Sequence, residues 1–176
     1  MTSPPPRTVD GDTFRRVLGH YPTGVCVVTA MEPAADGGGG TPVGLVVGSF
    51  TSVSLDPPLV AFLPDQGSTT WPRIERAGRF CVNVLASDQQ ALCRRFASRA
   101  ADRFAGVDFR LSDAGSPVLA GVTAWIDCTL HAVHAAGDHF IVLGHVRELD
   151  IARVDQPLLF FRGRYGAFAP LAEPAP

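Results

Sequence analysis

Residues 124–151, "AWIDCTLHAVHAAGDHFIVLGHVRELDI", constrain the fold more than any other stretch. Two long runs alternate apolar and polar residues with a period of two. That period belongs to extended strands, where successive side chains leave on opposite faces. Ala124, Ile126, Cys128 and Leu130 alternate with Trp125, Asp127, Thr129 and His131. Phe140, Val142 and Val146 then alternate with His139, Ile141, Leu143 and His145. The tight Ala-Ala-Gly-Asp connection between the runs predicts one long antiparallel hairpin.

His139 and His145 stand at the two ends of one face of that hairpin. They read as a metal pair, a ligand clamp or ordinary half-buried polar residues. At about 3.3 Å per residue they are roughly 20 Å apart, too far to share one ion. His131 and His134 are an odd number apart on one strand, which predicts that they face opposite ways. The spacing therefore argues against a metal site.

The remaining chain reads as more strands with short helices. "DGDTFRRVLGHY" places Phe14, Val17, Leu18 and Tyr21 at helical spacing, with Asp12 as the cap and Pro22 as the stop. "TGVCVVTA" is β-rich, and "MEPAADGGGGTP" reads as a flexible hairpin tip. No Lys-Ser/Thr or helix follows its glycines to make a phosphate cradle. "VGLVVGSFTSVSL" and "LVAFLP" read as strands on either side of an Asp-Pro-Pro break. "GSTTWPRIERAG" predicts a short helix with Pro72 in its first turn and Gly78 just past its end. "RFCVNVL" is a buried strand, and a Ser87-x-x-Gln90 capping box opens a helix that puts Leu92 and Phe96 on one face. "PLLFFRGRYGAF" is the last strand. About six strands without regular strand–helix alternation predict a mainly β protein, a closed antiparallel barrel with helical trim. The expected organisation is a disordered tail over residues 1–11, one domain over 12–170 and a tail over 171–176.

With 176 residues, 46% of them hydrophobic, the chain can bury a real core. A formal net charge of -2 with no basic stripe excludes a typical nucleic-acid binder. Arg94, Arg95, Arg99 and Arg103 read first as a solvated helix face. No apolar run approaches the roughly 20 residues of a membrane span, and the N-terminus lacks a signal-peptide core. A soluble, cytoplasmic protein is expected. The four cysteines include no CxxC pair, and Cys26, Cys81 and Cys128 fall in β-patterned runs as small buried hydrophobes.

Candidate chemistry is sparse. No GxSxG elbow occurs, and none of the cysteines has a recognisable activating context. Hydroxyl and small residues gather at "PTG", "GSFTSVS" and "GSTT". The last of these precedes a helix, where backbone N–H groups and the hydroxyls of Ser68, Thr69 and Thr70 suit a phosphate, with Arg103 as the cation. A plain helix cap is the other reading.

Taken in order, several segments resemble the short-chain flavin reductases, the reductase components of two-component flavin-dependent monooxygenases. They are "FRRVLGHYPTGVCVVT", "VGSFTSVSLDPPLVAFLP", "TWPRIERAGRFCVNVL", "DRFAGVDF", "GSPVLAGVTAWIDCTLHAVHAAGDHFIVLGHV" and "PLLFFRGRYG". The likeness runs from Phe14 to Phe168 and rests on order and spacing more than on any one piece. It implies an FMN-binding split β-barrel with Greek-key-like antiparallel strands, FMN or FAD as the flavin, NADH or NADPH as hydride donor, and a homodimer. A separate flavin-dependent monooxygenase would be the partner.

The same resemblance implies roles for particular residues. The flavin ring would lie along Val43, Gly44, Leu45, Val46, Val47, Gly48 and Ser49, with Ser52 and Ser54 behind it. Its phosphate would meet Ser68, Thr69, Thr70 and Arg103. Gly137, Asp138 and His139 match a Gly-Asp-His motif associated with NAD(P)H, with Arg164 and Tyr165 as further contacts. His145 has no counterpart and reads as a satisfied strand histidine. Where relatives often carry Gly-Met-Thr-Ala-Asn-Ser-Phe, this chain has Gly44-Leu45-Val46-Val47-Gly48-Ser49-Phe50, which removes a hydroxyl and an amide. Hydride transfer between two stacked rings needs positioning more than acid–base groups, which agrees with the sparse chemistry. The alternative is a flavin carrier or sensor on the same barrel. An oxidase of the pyridoxamine-phosphate type would want more basic residues.

Overall fold

The computed structural model describes residues 9–34 and 38–171. Most of the two expected tails (1–8 and 172–176) and residues 35–37 of the glycine-rich tip lie outside the described residues. The elements in order are α1 (Gly11–Leu18), β1 (Thr23–Gly24), β2 (Cys26–Glu32), β3 (Thr41–Val47), β4 (Thr51–Leu55) and β5 (Pro58–Phe62). Next come α2 (Trp71–Ala77), β6 (Arg79–Val84), a 3-10 turn (Ser87–Gln89), α3 (Gln90–Ala97), β7 (Phe109–Leu111) and β8 (Pro117–Leu119). The chain finishes with β9 (Ala124–Ala136), β10 (His139–Ile151), β11 (Leu158–Phe161) and β12 (Arg164–Ala167).

Seven strands form one antiparallel sheet in the order β3-β2-β6-β9-β10-β5-β4. Laid flat, its edges would be roughly 29 Å apart, six strand spacings. Yet β3 and β4, the two edges, are consecutive, and only Gly48, Ser49 and Phe50 join them. That link reaches about 14 Å at most. The sheet must therefore curl until its edges meet, leaving a seam between two strands that do not pair. This is a split barrel, mainly β as expected, but not the closed barrel that the strand pattern alone suggested. The seam also divides "VGLVVGSFTSVSL", read as one strand, into two. Ser49 makes the break: its hydroxyl accepts from Leu63 N–H at 2.9 Å and donates to Leu63 C=O at 3.3 Å, taking the place of a ladder.

The expected hairpin is β9–β10, closed by a two-residue turn with Gly137 at φ +66°. A two-residue turn that begins at positive φ favours glycine at that position. The ladder slips beside His131, since Leu143 faces Ala132 while the next residue, Gly144, faces Leu130. This bulge adds one residue and resets the alternation, so His131 and His134 do not face opposite ways by parity; both are exposed.

Both faces of the sheet's centre are buried, giving two cores. Val28, Phe62, Phe80 and Val142 fill the barrel, and Trp71 and Ile74 of α2 pack into the same cluster. Val27, Cys81 and Trp125 face outward under Phe96 of α3 and Leu119 of β8. The outer layer is pinned by buried polar groups. Asp127 accepts hydrogen bonds from Ser112 and, at 3.1 Å, from Ser116, while Asn83 accepts from Leu119 N–H at 2.8 Å. All four cysteines are buried and free, and burial pushes the Cys26 and Cys128 thiols up to about 12. They are packing residues, as the patterning predicted.

Two helix starts differ from expectation. Asp10, not Asp12, caps α1, its Oδ1 accepting from Thr13 N–H at 2.8 Å, while Asp12 pairs with Arg15. Ser87 opens a 3-10 turn in place of the α-helix, because the Gln89 side chain reaches back to Ala86 N–H at 3.0 Å and α3 begins only at Gln90. None of the described helices is long and apolar enough to cross a membrane.

Candidate functional site

A cavity of about 1390 Å³ opens where β3, the loop before α2 and the loop after α3 converge. Its walls carry Val43, Gly44, Leu45 and Val46 from β3, Ser68, Thr69 and Thr70 from the second element, and Arg103 from the third. Three segments singled out separately in the sequence thus meet in one place. Gly44 permits the meeting, since a Cβ there would lie 2.7 Å from the Phe96 ring that roofs it.

Arg103 holds the three walls together. Its Nε donates to Ser98 C=O at 2.9 Å, and its Nη1 donates to Gly44 C=O and to Thr70 Oγ1, each at 3.0 Å. Nη2 has no acceptor among the described residues. The guanidinium is thereby fixed by its own loop, with two N–H groups left for a ligand, which suits a phosphate better than a freely swinging lysine. The arginines read as one solvated face divide accordingly, with Arg103 a half-buried bracket and Arg94 exposed. The helix start works differently from the expected open cradle. Ser68 Oγ already accepts from Trp71 N–H at 3.1 Å and Thr70 N–H at 3.3 Å, so it serves as a cap. Of the two readings of "GSTT", the hydrogen bonds show the cap, while Ser68, Thr69, Thr70 and Arg103 all line the cavity.

Gly137, Asp138 and His139 stand beside this wall, outside the cavity itself. Gln66 ties them to it. Its backbone N–H donates to Asp138 C=O at 2.9 Å, and its Nε2 donates to Gly137 C=O at 3.0 Å. One residue later the chain enters the cavity at Gly67 and Ser68. His139 Nδ1 sits 2.7 Å from Asp138 Oδ1, and the imidazole is 41% exposed, so a ligand can reach it.

The other expected site residues fall elsewhere. Val47, Gly48 and Ser49 lie past the cavity at the seam. The space beside Gly48 is filled by Thr23, whose Oγ1 would be 2.9 Å from an added Cβ. Ser52 and Ser54 are on edge strand β4, on the far side of that seam. Arg164 and Tyr165 belong to the small β1-β11-β12 sheet, where the Tyr165 hydroxyl meets Cys93 Sγ at 3.3 Å. His145 is half-buried beside Arg147, as a strand histidine would be. Missed in the sequence were Arg73, Arg99, Phe104 and Phe109, all on the cavity wall. Only the proximity of Arg73 to "GSTT" could have signalled any of them.

Two carboxylates near the site are acidified by their partners. Glu32 is held below its ordinary value of 4.5 by hydrogen bonds from Arg76 and then Arg73. Asp138 is held below 3.8 chiefly by the hydrogen bond with His139. A carboxyl with a depressed folded-state value stabilises the fold above its ordinary value and loses that contribution as pH falls through the folded value. The melting temperature should therefore hold steady between about pH 7 and 5 and fall below about 4.5. Glu32→Gln should show a smaller acid-side fall in the same melts.

A curled antiparallel barrel with an arginine-braced cavity and an adjoining histidine turn defines a class, the small split β-barrels. The comparisons narrow that class. Residues 18–169 match the family described as "Flavin reductase like domain", and the chain belongs to that family. It is 62% identical over 161 residues to a flavin reductase of Pseudomonas putida, covering 92% of each chain. It is 48% identical over 162 residues to the reductase subunit HsaB of a flavin-dependent monooxygenase from Rhodococcus jostii, covering 92% of this chain and 80% of that one. Among solved structures it is similar to the NADH:FAD oxidoreductase SgcE6 of Streptomyces globisporus in complex with NAD and FAD fragments. That match has a TM-score of 0.83 and 37% identity, covering 96% of this chain and 100% of that one.

Proposed function

We propose that this chain is an NAD(P)H:flavin oxidoreductase that reduces FMN or FAD and supplies the reduced flavin to a partner flavin-dependent monooxygenase. The observation that carries this reading is the cavity wall from Arg103 to Ser68–Thr70 together with Gln66, which ties the adjoining Gly137-Asp138-His139 turn to it by hydrogen bonds. In this reading a phosphate anchor and a second ligand contact would lie on neighbouring turns of one scaffold. The flavin, when bound, supplies the hydride-accepting ring. The protein has to position two rings and exclude water, for which the β3 backbone over residues 43–46 offers a wall, the Val43 and Leu45 side chains being buried in the barrel core. Arg103 Nη2 and the hydroxyls of Thr69 and Thr70 would hold the flavin phosphate. His139 would contact the nicotinamide cofactor, with Asp138 fixing its ring.

A homodimer fits the exposed apolar surface. Phe14, Val17, Leu18 and Tyr21 of the α1 segment are all at least half exposed, and a second copy would cover them. Four buried, free thiols agree with a cytoplasmic protein.

The test is an NADH or NADPH oxidation assay with FMN or FAD, followed at the nicotinamide absorbance band. Flavin-dependent loss of absorbance is the expected result. Flavin binding without nicotinamide oxidation would instead mark a carrier. His139→Ala should raise the KM for NADH about tenfold and leave flavin affinity within about twofold, the loss expected for one charge-assisted contact. Equal damage to both would place His139 in the flavin site.

A further inference from the structure

We propose that Gln66 is a positioning residue that couples the two ligand turns of the site. A flavin phosphate seated at Ser68–Thr70 thereby raises the affinity of the Gly137-Asp138-His139 turn for the nicotinamide cofactor. The inference rests on the flavin reading above. It starts from where the two turns touch. Strand β5 pairs with β10 as far as Phe62 opposite Val142, and beyond that point the pairing resumes between two loops. Phe140 N–H donates to Pro64 C=O and Gln66 N–H donates to Asp138 C=O, each at 2.9 Å, with Asp65 opposite His139. The backbone that sets His139 is therefore held by the loop that leads into α2.

The Gln66 side chain closes this junction. Its Nε2 donates to Gly137 C=O at 3.0 Å and to His139 C=O at 3.3 Å, one carbonyl on each side of Asp138. Serving two carbonyls at once takes two N–H donors, which a side-chain amide has. Gly137 opens the turn at φ +66°, where a residue without Cβ restrains the backbone least, and the brace acts at its carbonyl. Gln66 is exposed, so water competes for these bonds and a neighbouring ligand can tip the balance.

The other end of the brace is equally short. Asp65 Oδ1 accepts from Gly67 N–H at 2.6 Å, and Asp65 C=O accepts from Ser68 N–H at 3.0 Å, so residues 65–68 form one tight turn. Ser68 then caps α2, and Arg103 holds Thr70. A phosphate on Arg103 and the Ser68–Thr70 hydroxyls fixes this turn, and the fixed turn presents Gln66 to the hairpin. The ordering is then complete before the nicotinamide cofactor arrives, which is a favourable coupling between sites. Linkage makes it reciprocal, each ligand tightening the other by the same factor.

Two rings in contact would also couple the ligands directly, so the experiment compares FMN with riboflavin, which has the ring but no phosphate. Calorimetry on the full chain titrates NAD+, which cannot reduce the flavin, into protein alone, with riboflavin and with FMN. In the parent, FMN should tighten NAD+ about fivefold more than riboflavin does, the lower end of typical couplings. Gln66→Ala should bring the two flavins level and leave NAD+ affinity without flavin within about twofold. Gln66→Glu, similar in shape but with acceptors only, should do the same. His139→Ala should weaken NAD+ under all three conditions and keep the FMN advantage. Circular dichroism checks that each variant is folded, and either Gln66 variant carries the test if the other is not. FMN that tightens NAD+ no more than riboflavin does in the parent would overturn the inference, as would a Gln66→Ala protein that keeps the FMN advantage. Equal loss of NAD+ affinity under all three conditions in Gln66→Ala would make the side chain a structural prop of the turn, and would overturn the coupling while leaving the reductase reading intact. Parent protein that binds neither FMN nor NAD+ would bring down both.

Discussion

Arg103→Ala should raise the dissociation constant for flavin about 100-fold, the largest binding effect expected of any single substitution here. One guanidinium holds Ser98 C=O, Gly44 C=O and Thr70 Oγ1, so its loss unties three walls of the cavity as well as removing a ligand contact. Hydrogen bonds to charged groups contribute about 1.5–3 kcal/mol each, and about 2.8 kcal/mol corresponds to a hundredfold change. Arg103→Lys should recover little, because an ammonium cannot reach three divergent acceptors and a phosphate with one compact head. The exposed Arg94→Ala is the control and should bind flavin like the parent. Calorimetry decides it. Parent-like affinity in Arg103→Ala would show that the bracket is not the anchor.

Gly144→Ala should be the most damaging single-methyl change to stability. A Cβ at this β10 position would sit 2.5 Å from Phe80 Cζ and 3.0 Å from Cys128 Cβ. Phe80 cannot retreat, since it is buried and packs edge-to-face on Phe62 at 5.2 Å, which is itself packed on Trp71 at 5.7 Å. Overpacking of this kind costs about 1–3 kcal/mol. For a domain of this size that lowers the melting temperature by roughly 2–12 °C. Gly166→Ala makes the comparison, because nothing lies within 4 Å of its added methyl. A Gly144→Ala melt indistinguishable from that of Gly166→Ala would mean the β9–β10 ladder is not packed as described. The substitution lies five residues from His139, so its effect on NADH affinity reports how far the hairpin's core register supports its tip.

The parts of this protein that could be read from the chain are those set by near neighbours. Alternation over 124–146 specified the β9–β10 hairpin because side-chain direction in a strand depends only on position parity. The start and end of α2 were visible because Pro72 and Gly78 act through their own backbone angles, with Gly78 at φ +66°. The same local logic failed wherever a distant group competed. Gln89 displaced the expected cap at Ser87, and the extra residue in the ladder beside His131 reset a parity that sequence spacing could not reveal.

The site divides along the same line. Residue types, and the resemblance they carried, pointed to "GSTT", Arg103 and Gly-Asp-His as separate candidates. Their joining belongs to the tertiary structure. Gln66 bridges two segments 71 residues apart, Arg103 reaches Gly44 across 59, and Arg73 takes its aim from Glu32, 41 positions earlier. The seam after Val47, which leaves Ser49, Ser52 and Ser54 outside the cavity, is likewise a product of sheet closure. Backbone angles and side-chain parity are properties of a residue and its neighbours, and they survive in a linear string. Which distant groups meet depends on how a whole sheet curls and packs, and only the folded chain decides that.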